Sequence, residues 1–169
     1  MITSKDIQEI QLMITDSLKV TKKKEGSCLY ISALLFAQIN DNLRVTPRFV
    51  TGSLALNNRL IFSHDPILPA LRSGHDFSAL WNGHAWVEIK NLIFDPSVFL
   101  TIYSPSTPQD IQNKFEKTFK GKFSYLIGER DKLEKLGVVY KTYEHLSNDD
   151  ANILINCGFR AGFFDKNIC

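Results

Sequence analysis

Apolar residues recur at intervals of three and four through Ile7, Ile10, Met13, Ile14 and Leu18, which predicts an amphipathic helix ending near Val20. Thr3 or Ser4 can cap it, and Asp6, Glu9 and Lys19 sit where the helix dipole favours their charges. A polar connection from Thr21 to Gly26 follows. The same period then returns at Ile31, Leu34, Leu35 and Ile39, a second helix that closes at Asn40-Asp41-Asn42. Gly26 lets the chain turn sharply into this helix, and Ser27 is its expected N-cap.

Beyond Arg44 the period changes to two. Residues 48–56 and 59–62 read as strands joined by a tight hairpin at Asn57-Asn58. Residues 64–82 are irregular, broken by Pro66, Pro69 and Gly74, with a short helix around Ile67 to Leu71. Two further strands run from His84 to Ile89 and from Leu92 to Asp95, turning at Lys90-Asn91. Their alternation puts His84, Trp86 and Glu88 on one face and Ala85, Val87 and Ile89 on the other. The final third is less regular. A helix is expected over 105–119, opened by Ser106 or Thr107 with Pro108 in its first turn. Strands are expected over 123–127 and 138–143, and a last helix from Asp149 to Cys157, closed by Gly158.

No repeat or low-complexity linker divides the chain, so residues 1–169 are read as one domain with its core over about 20–100. A length of 169 residues with 44% hydrophobic and 22% charged residues is enough for a real core. The net charge of +2 argues against a nucleic-acid partner, because Lys22-Lys23-Lys24 is the only dense cationic run. No apolar stretch reaches the roughly 20 residues of a membrane span, and the N-terminus has no signal-peptide core, so a cytoplasmic location is expected. Cys28, Cys157 and Cys169 form no CxxC pair, so neither a zinc site nor a disulfide framework is expected, and no cofactor is implied.

The chemistry concentrates at three residues. Cys28 stands in the first turn of an apolar helix, where the dipole and unpaired N–H groups favour the thiolate. A buried, inert thiol is the plainer meaning of a lone cysteine. His84 opens one strand and Asp95 ends its hairpin partner, so pairing about Lys90-Asn91 brings those two ends together. An imidazole oriented by a carboxylate and placed beside a thiol is what nucleophilic acyl transfer requires.

Gly26-Ser27-Cys28 opening an apolar helix, the strand Arg48-Phe49-Val50-Thr51-Gly52, the string Gly83-His84-Ala85-Trp86-Val87-Glu88 and Phe94-Asp95-Pro96 together resemble the transglutaminase-like cysteine enzyme superfamily. Its members include transglutaminases, transglutaminase-like peptidases and, more distantly, arylamine N-acetyltransferases. The resemblance covers roughly Gly26 to Ser97. It implies Cys28 as nucleophile, His84 as general base and acid, Asp95 as the orienting carboxylate, and an α+β fold with the cysteine-bearing helix packed on an antiparallel sheet, a papain-like core. It also implies a peptide or protein substrate. Several members carry a tryptophan beside the nucleophile, whereas here Ser27 and Leu29 flank it.

The expected function is a thiol-dependent hydrolase or acyltransferase acting on a peptide, isopeptide or side-chain amide bond through a thioester. The alternatives are a catalytically silent binding module of the same fold, or an arylamine N-acetyltransferase-like enzyme. Other residues have plainer readings. Trp86 is expected in the core or cleft wall, and Glu88 in a surface salt bridge. His64-Asp65 and His75-Asp76 are expected in a loop bordering the cleft rather than at a metal. For the oxyanion hole the Cys28 N–H is expected, with Lys22, Lys23 or Gln11 as candidate second donors.

Overall fold

Thr3 opens the first helix through a reciprocal capping box. Its hydroxyl accepts from the Asp6 N–H at 3.1 Å, while Asp6 Oδ2 accepts from the Thr3 N–H at 2.7 Å. The computed structural model describes residues 2–22, 25–74 and 81–165. In it α1 (Ser4–Val20) buries Ile10, Ile14 and Ser17. The Ser17 hydroxyl donates to Gln38 Oε1 at 3.0 Å, tying α1 to α2 (Cys28–Asn42).

The four-residue stripe predicted a one-sided second helix, but α2 is enclosed on nearly every side. Cys28, Leu29, Tyr30, Ile31, Ser32, Ala33, Leu35, Phe36 and Ile39 are all buried. Small residues permit this, since Ser32 and Ala33 let the backbone lie against the sheet. The Ser32 hydroxyl donates to the Ala85 carbonyl at 2.9 Å and pins the helix there.

Six strands build one antiparallel sheet: β1 (Arg48–Leu56), β2 (Arg59–Phe62), β3 (His84–Ile89), β4 (Leu92–Asp95), β5 (Leu126–Glu129) and β6 (Val138–Leu146). β1 is its spine. β6 follows one edge of it, while the other edge is split between β3, over residues 48–52, and β2, over residues 54–56. β4 and β5 continue outward from β3. Asn57 and Asn58 both take positive φ, +48° and +64°, as a two-residue hairpin turn demands. The protein is therefore α+β, as the sequence suggests.

Each face of the sheet carries its own core. Phe49, Ala85, Val87 and Ile89 meet α1, α2, α3 (Leu68–Arg72) and α7 (Asn148–Arg160). Val50, Leu54, Trp86, Val138 and Tyr140 meet α4 (Val98–Ile102), α5 (Gln109–Phe119) and Leu133 of α6 (Arg130–Lys135). The sheet curls about this second core. Arg130, just past β5, hydrogen-bonds the Tyr140 carbonyl of β6 and so links the two outermost strands.

Several expected boundaries move. The helix read from residue 105 begins at Gln109, because the Ser104, Ser106 and Thr107 hydroxyls bond one another and the Thr101 carbonyl in a turn. The strand expected over 123–127 is Leu126–Glu129, with Phe123 outside it. Gly158 does not close the last helix, which continues to Arg160. A Cβ there would lie 2.7 Å from Phe164 and 3.1 Å from Tyr30, so the glycine serves close packing instead. The five- and six-residue helices α4 and α6 are too short for a periodic signal. Among the described residues no helix is long and apolar enough to cross a membrane.

Candidate active site

Gly26 has φ +72°, and no atom would crowd a Cβ there, so its backbone conformation alone calls for glycine. The chain then enters α2 through Ser27, whose carbonyl accepts from the Ile31 N–H at 2.9 Å. The Ser27 side chain makes no cap hydrogen bond, contrary to expectation, since its backbone is helical (φ −83°, ψ −5°) rather than extended. Cys28 follows as the first helical residue.

His84 pairs with Gly52 across β1 and β3, and its side chain is buried beneath Phe62, whose ring stacks on the imidazole at 4.8 Å. The β3–β4 ladder pairs Val87 with Phe94, a register that places Asp95 beside Trp86 and diagonal to His84 on the same face. The hairpin therefore brings His84 and Asp95 together as its pattern predicts. The His84 Nε2–H donates to Asp95 Oδ2 at 2.5 Å. The Cys28 side chain acts on the same imidazole, by hydrogen bond and by charge. Exposure falls along the row, from 8% at Cys28 to 1% at His84 and none at Asp95.

Asp95 is held more fully than the sequence suggests. Its Oδ1 accepts from the Ser97 and Val98 N–H groups at 3.0 and 2.9 Å and from the Ser97 hydroxyl at 3.3 Å. In capping the start of α4, the carboxylate is fixed against rotation. Its Oδ2 also accepts the Tyr140 phenol at 2.8 Å. Ser97 and Tyr140 are the residues that sequence reasoning missed. An Asp followed closely by a helix start is a local signal for Ser97. Tyr140 reaches the site only because β6 pairs with β1, which no local pattern announces.

Glu88 is a correction. It shares the His84 face, as predicted, but the residue itself is buried at 2% exposed, while its partner Arg48 remains half exposed. Its carboxylate accepts from Arg48 at 2.5 Å, from Arg130, from Trp86 Nε1 at 2.9 Å and from the Thr142 hydroxyl at 3.0 Å. Curling of the sheet closes α6 over what would be a solvated face. Trp86 is fully buried core. His64 binds Glu144 and the Thr51 hydroxyl, each at 3.1 Å, and Asp65 binds Trp81 and Asn82. No group of three possible metal-ligating side chains occurs among the described residues. Lys22 pairs with Asp165 at 3.1 Å. Lys23, His75, Asp76 and Cys169 lie outside the described residues.

Burial works against a charged imidazole at position 84. The charge and hydrogen bond of Asp95, with the hydrogen bond and charge of Cys28, outweigh it and raise His84 to about 10. A proton is therefore held more tightly in the folded protein than in the unfolded chain, where histidine titrates near 6.5. The resulting stabilisation is complete below about pH 6.5 and is lost as pH rises through 10. The urea midpoint should accordingly fall between pH 7 and pH 10 more steeply in the wild type than in His84→Gln. Equal slopes would mean that His84 is neutral throughout.

Comparison of the chain with protein-family models, with curated proteins and with solved structures gave no match.

Proposed function

We propose that the protein is a thiol-dependent acyl-transfer enzyme with a transglutaminase-like core, cleaving or exchanging a peptide, isopeptide or side-chain amide bond. The observation that carries this reading is the row in which Asp95 Oδ2 accepts from the His84 ring at 2.5 Å while the Cys28 side chain acts on the same imidazole by hydrogen bond and charge. A structural histidine needs one partner. This one has a carboxylate at Nε2 and a thiol beyond, the order in which a proton must travel.

In the reaction, the Cys28 proton passes to His84, leaving a thiolate and an imidazolium stabilised by Asp95. Sγ attacks the carbonyl carbon to give a tetrahedral oxyanion. As the C–N bond breaks, the imidazolium protonates the departing amine, and a thioester remains on Cys28. Water or a second amine then attacks the thioester, giving its proton to His84, and Sγ leaves as thiolate. Hydrolysis and amine transfer differ only in that last nucleophile. The Cys28 N–H, in the first turn of α2, is the natural oxyanion donor.

Incubation with p-nitrophenyl acetate tests this directly. A burst of nitrophenol should accompany one acetyl group on the peptide bearing Cys28, labile to hydroxylamine. Glycine methyl ester should speed its loss if an amine is the natural acceptor and leave it unchanged if water is. Absence of any acetyl-Cys28 while lysines acetylate normally would overturn the reading in favour of a silent binding module.

A further inference from the structure

Asp95 Oδ2 accepts two hydrogen bonds, from His84 Nε2–H at 2.5 Å and from the Tyr140 hydroxyl at 2.8 Å. The second comes from a strand far along the chain, and a set of buried polar contacts fixes it. The Tyr140 ring stands edge-on to Trp86 with centroids 5.0 Å apart, and the indole N–H is anchored on Glu88. Arg130 spans Glu88 and the Tyr140 carbonyl, and Thr142 adds its hydroxyl to the same carboxylate. Phenylalanine would fill the same space in the core. What distinguishes tyrosine here is one hydroxyl, aimed at the oxygen that orients His84.

We propose that Tyr140 is a positioning residue that, through Asp95, sets how tightly His84 holds its proton. The proposal rests on the reading of Cys28, His84 and Asp95 as a proton relay. A donor on Oδ2 draws charge from the carboxylate and weakens its pull on the imidazolium. His84 must release a proton to the leaving amine as readily as it takes one, so an unshared carboxylate would over-stabilise the imidazolium and slow that step. The groups facing His84 are Cys28 from α2, Asp95 from β4 and Tyr140 from β6, with the uncharged Phe62 from β2 over the ring. Arg130 and Glu88 stand behind Tyr140. Burial first, then the charge and hydrogen bond of Asp95, hold the phenol well above its usual value, with Arg130 opposing. Tyr140 thus stays a neutral donor while His84 titrates.

The test follows the ring nitrogens and the deshielded Nε2 proton of His84 by NMR in full-length Cys28→Ala, where no thiol contributes. Adding Tyr140→Phe should raise the His84 midpoint by about one unit. Site-specific 3-fluorotyrosine at position 140, a stronger donor, should lower it. A midpoint unmoved by either change overturns the inference, whatever happens to Tm. Because no thiol is present, that result is independent of acyl transfer. Failure of Cys28 to acetylate would instead remove the proposed reaction while leaving a moved midpoint intact.

Discussion

Replacing His84 with glutamine is expected to slow alkylation of Cys28 by iodoacetamide at pH 6 by about 100-fold, read by peptide mass spectrometry. An unassisted thiol ionises near 8.5, so only about three molecules in a thousand are thiolate at pH 6. A thiol that passes its proton to a neighbouring imidazole, leaving a thiolate–imidazolium pair, escapes that limit. Glutamine suits the test because its amide can still donate to Asp95 but cannot accept a proton from sulfur. Alanine would also leave the buried carboxylate without a partner at Oδ2 other than Tyr140, confusing reactivity with stability. Cys157 supplies an internal reference. It is buried in α7, with its sulfur accepting from Arg160 at 3.2 Å, and its rate should not respond. If Cys28 and Cys157 react alike in both proteins, the contact between Cys28 and His84 is ordinary packing and the proposed chemistry falls.

The residues of that experiment were all legible in the sequence, and the reason is locality. Asp95 lies eleven positions after His84, on the partner strand of one hairpin whose turn is marked by Lys90-Asn91. Alternation alone then decides that both side chains share a face. The helix of Cys28 was equally readable from its apolar spacing, but its all-round burial was not, because β3 and α7 approach it from distant parts of the chain and join α1 around it. The same division holds for charge. Glu88 reads as a solvated residue on a polar-looking face until Arg130, forty-two positions later, closes over it. Ser97 and Tyr140 show the two sides of this rule around a single carboxylate, one supplied by the next two residues and the other by the last strand. Short elements resist reading for a different reason. Val98–Ile102 is one turn and a fraction, stabilised by the Asp95 carboxylate at its start rather than by any repeat of its own.

Fold and site meet at Gly52, and Gly52→Ala is expected to lower stability by about 3 kcal/mol or more. A Cβ at this position would sit 2.0 Å from the Lys141 carbonyl oxygen and 2.8 Å from the edge of the Trp86 ring. Neither neighbour can give way cheaply. The carbonyl belongs to the β6 backbone at a bulge, where Thr51 pairs with Glu144 and Gly52 with Thr142, leaving Tyr143 as the extra residue. The indole is fully buried and anchored on Glu88. Relief therefore requires β1 and β6 to separate beside His84, which pairs with Gly52 on the other edge. The strand that moves carries Tyr140, so the damage should reach Asp95 as well. Urea unfolding at pH 7 would measure the first effect. The second should appear as slower alkylation of Cys28 at temperatures where the variant is still folded. A Gly52→Ala protein as stable as the wild type would mean that β6 does not lie on β1 in this register. Both the Tyr140 contact and its influence on His84 would then be lost together.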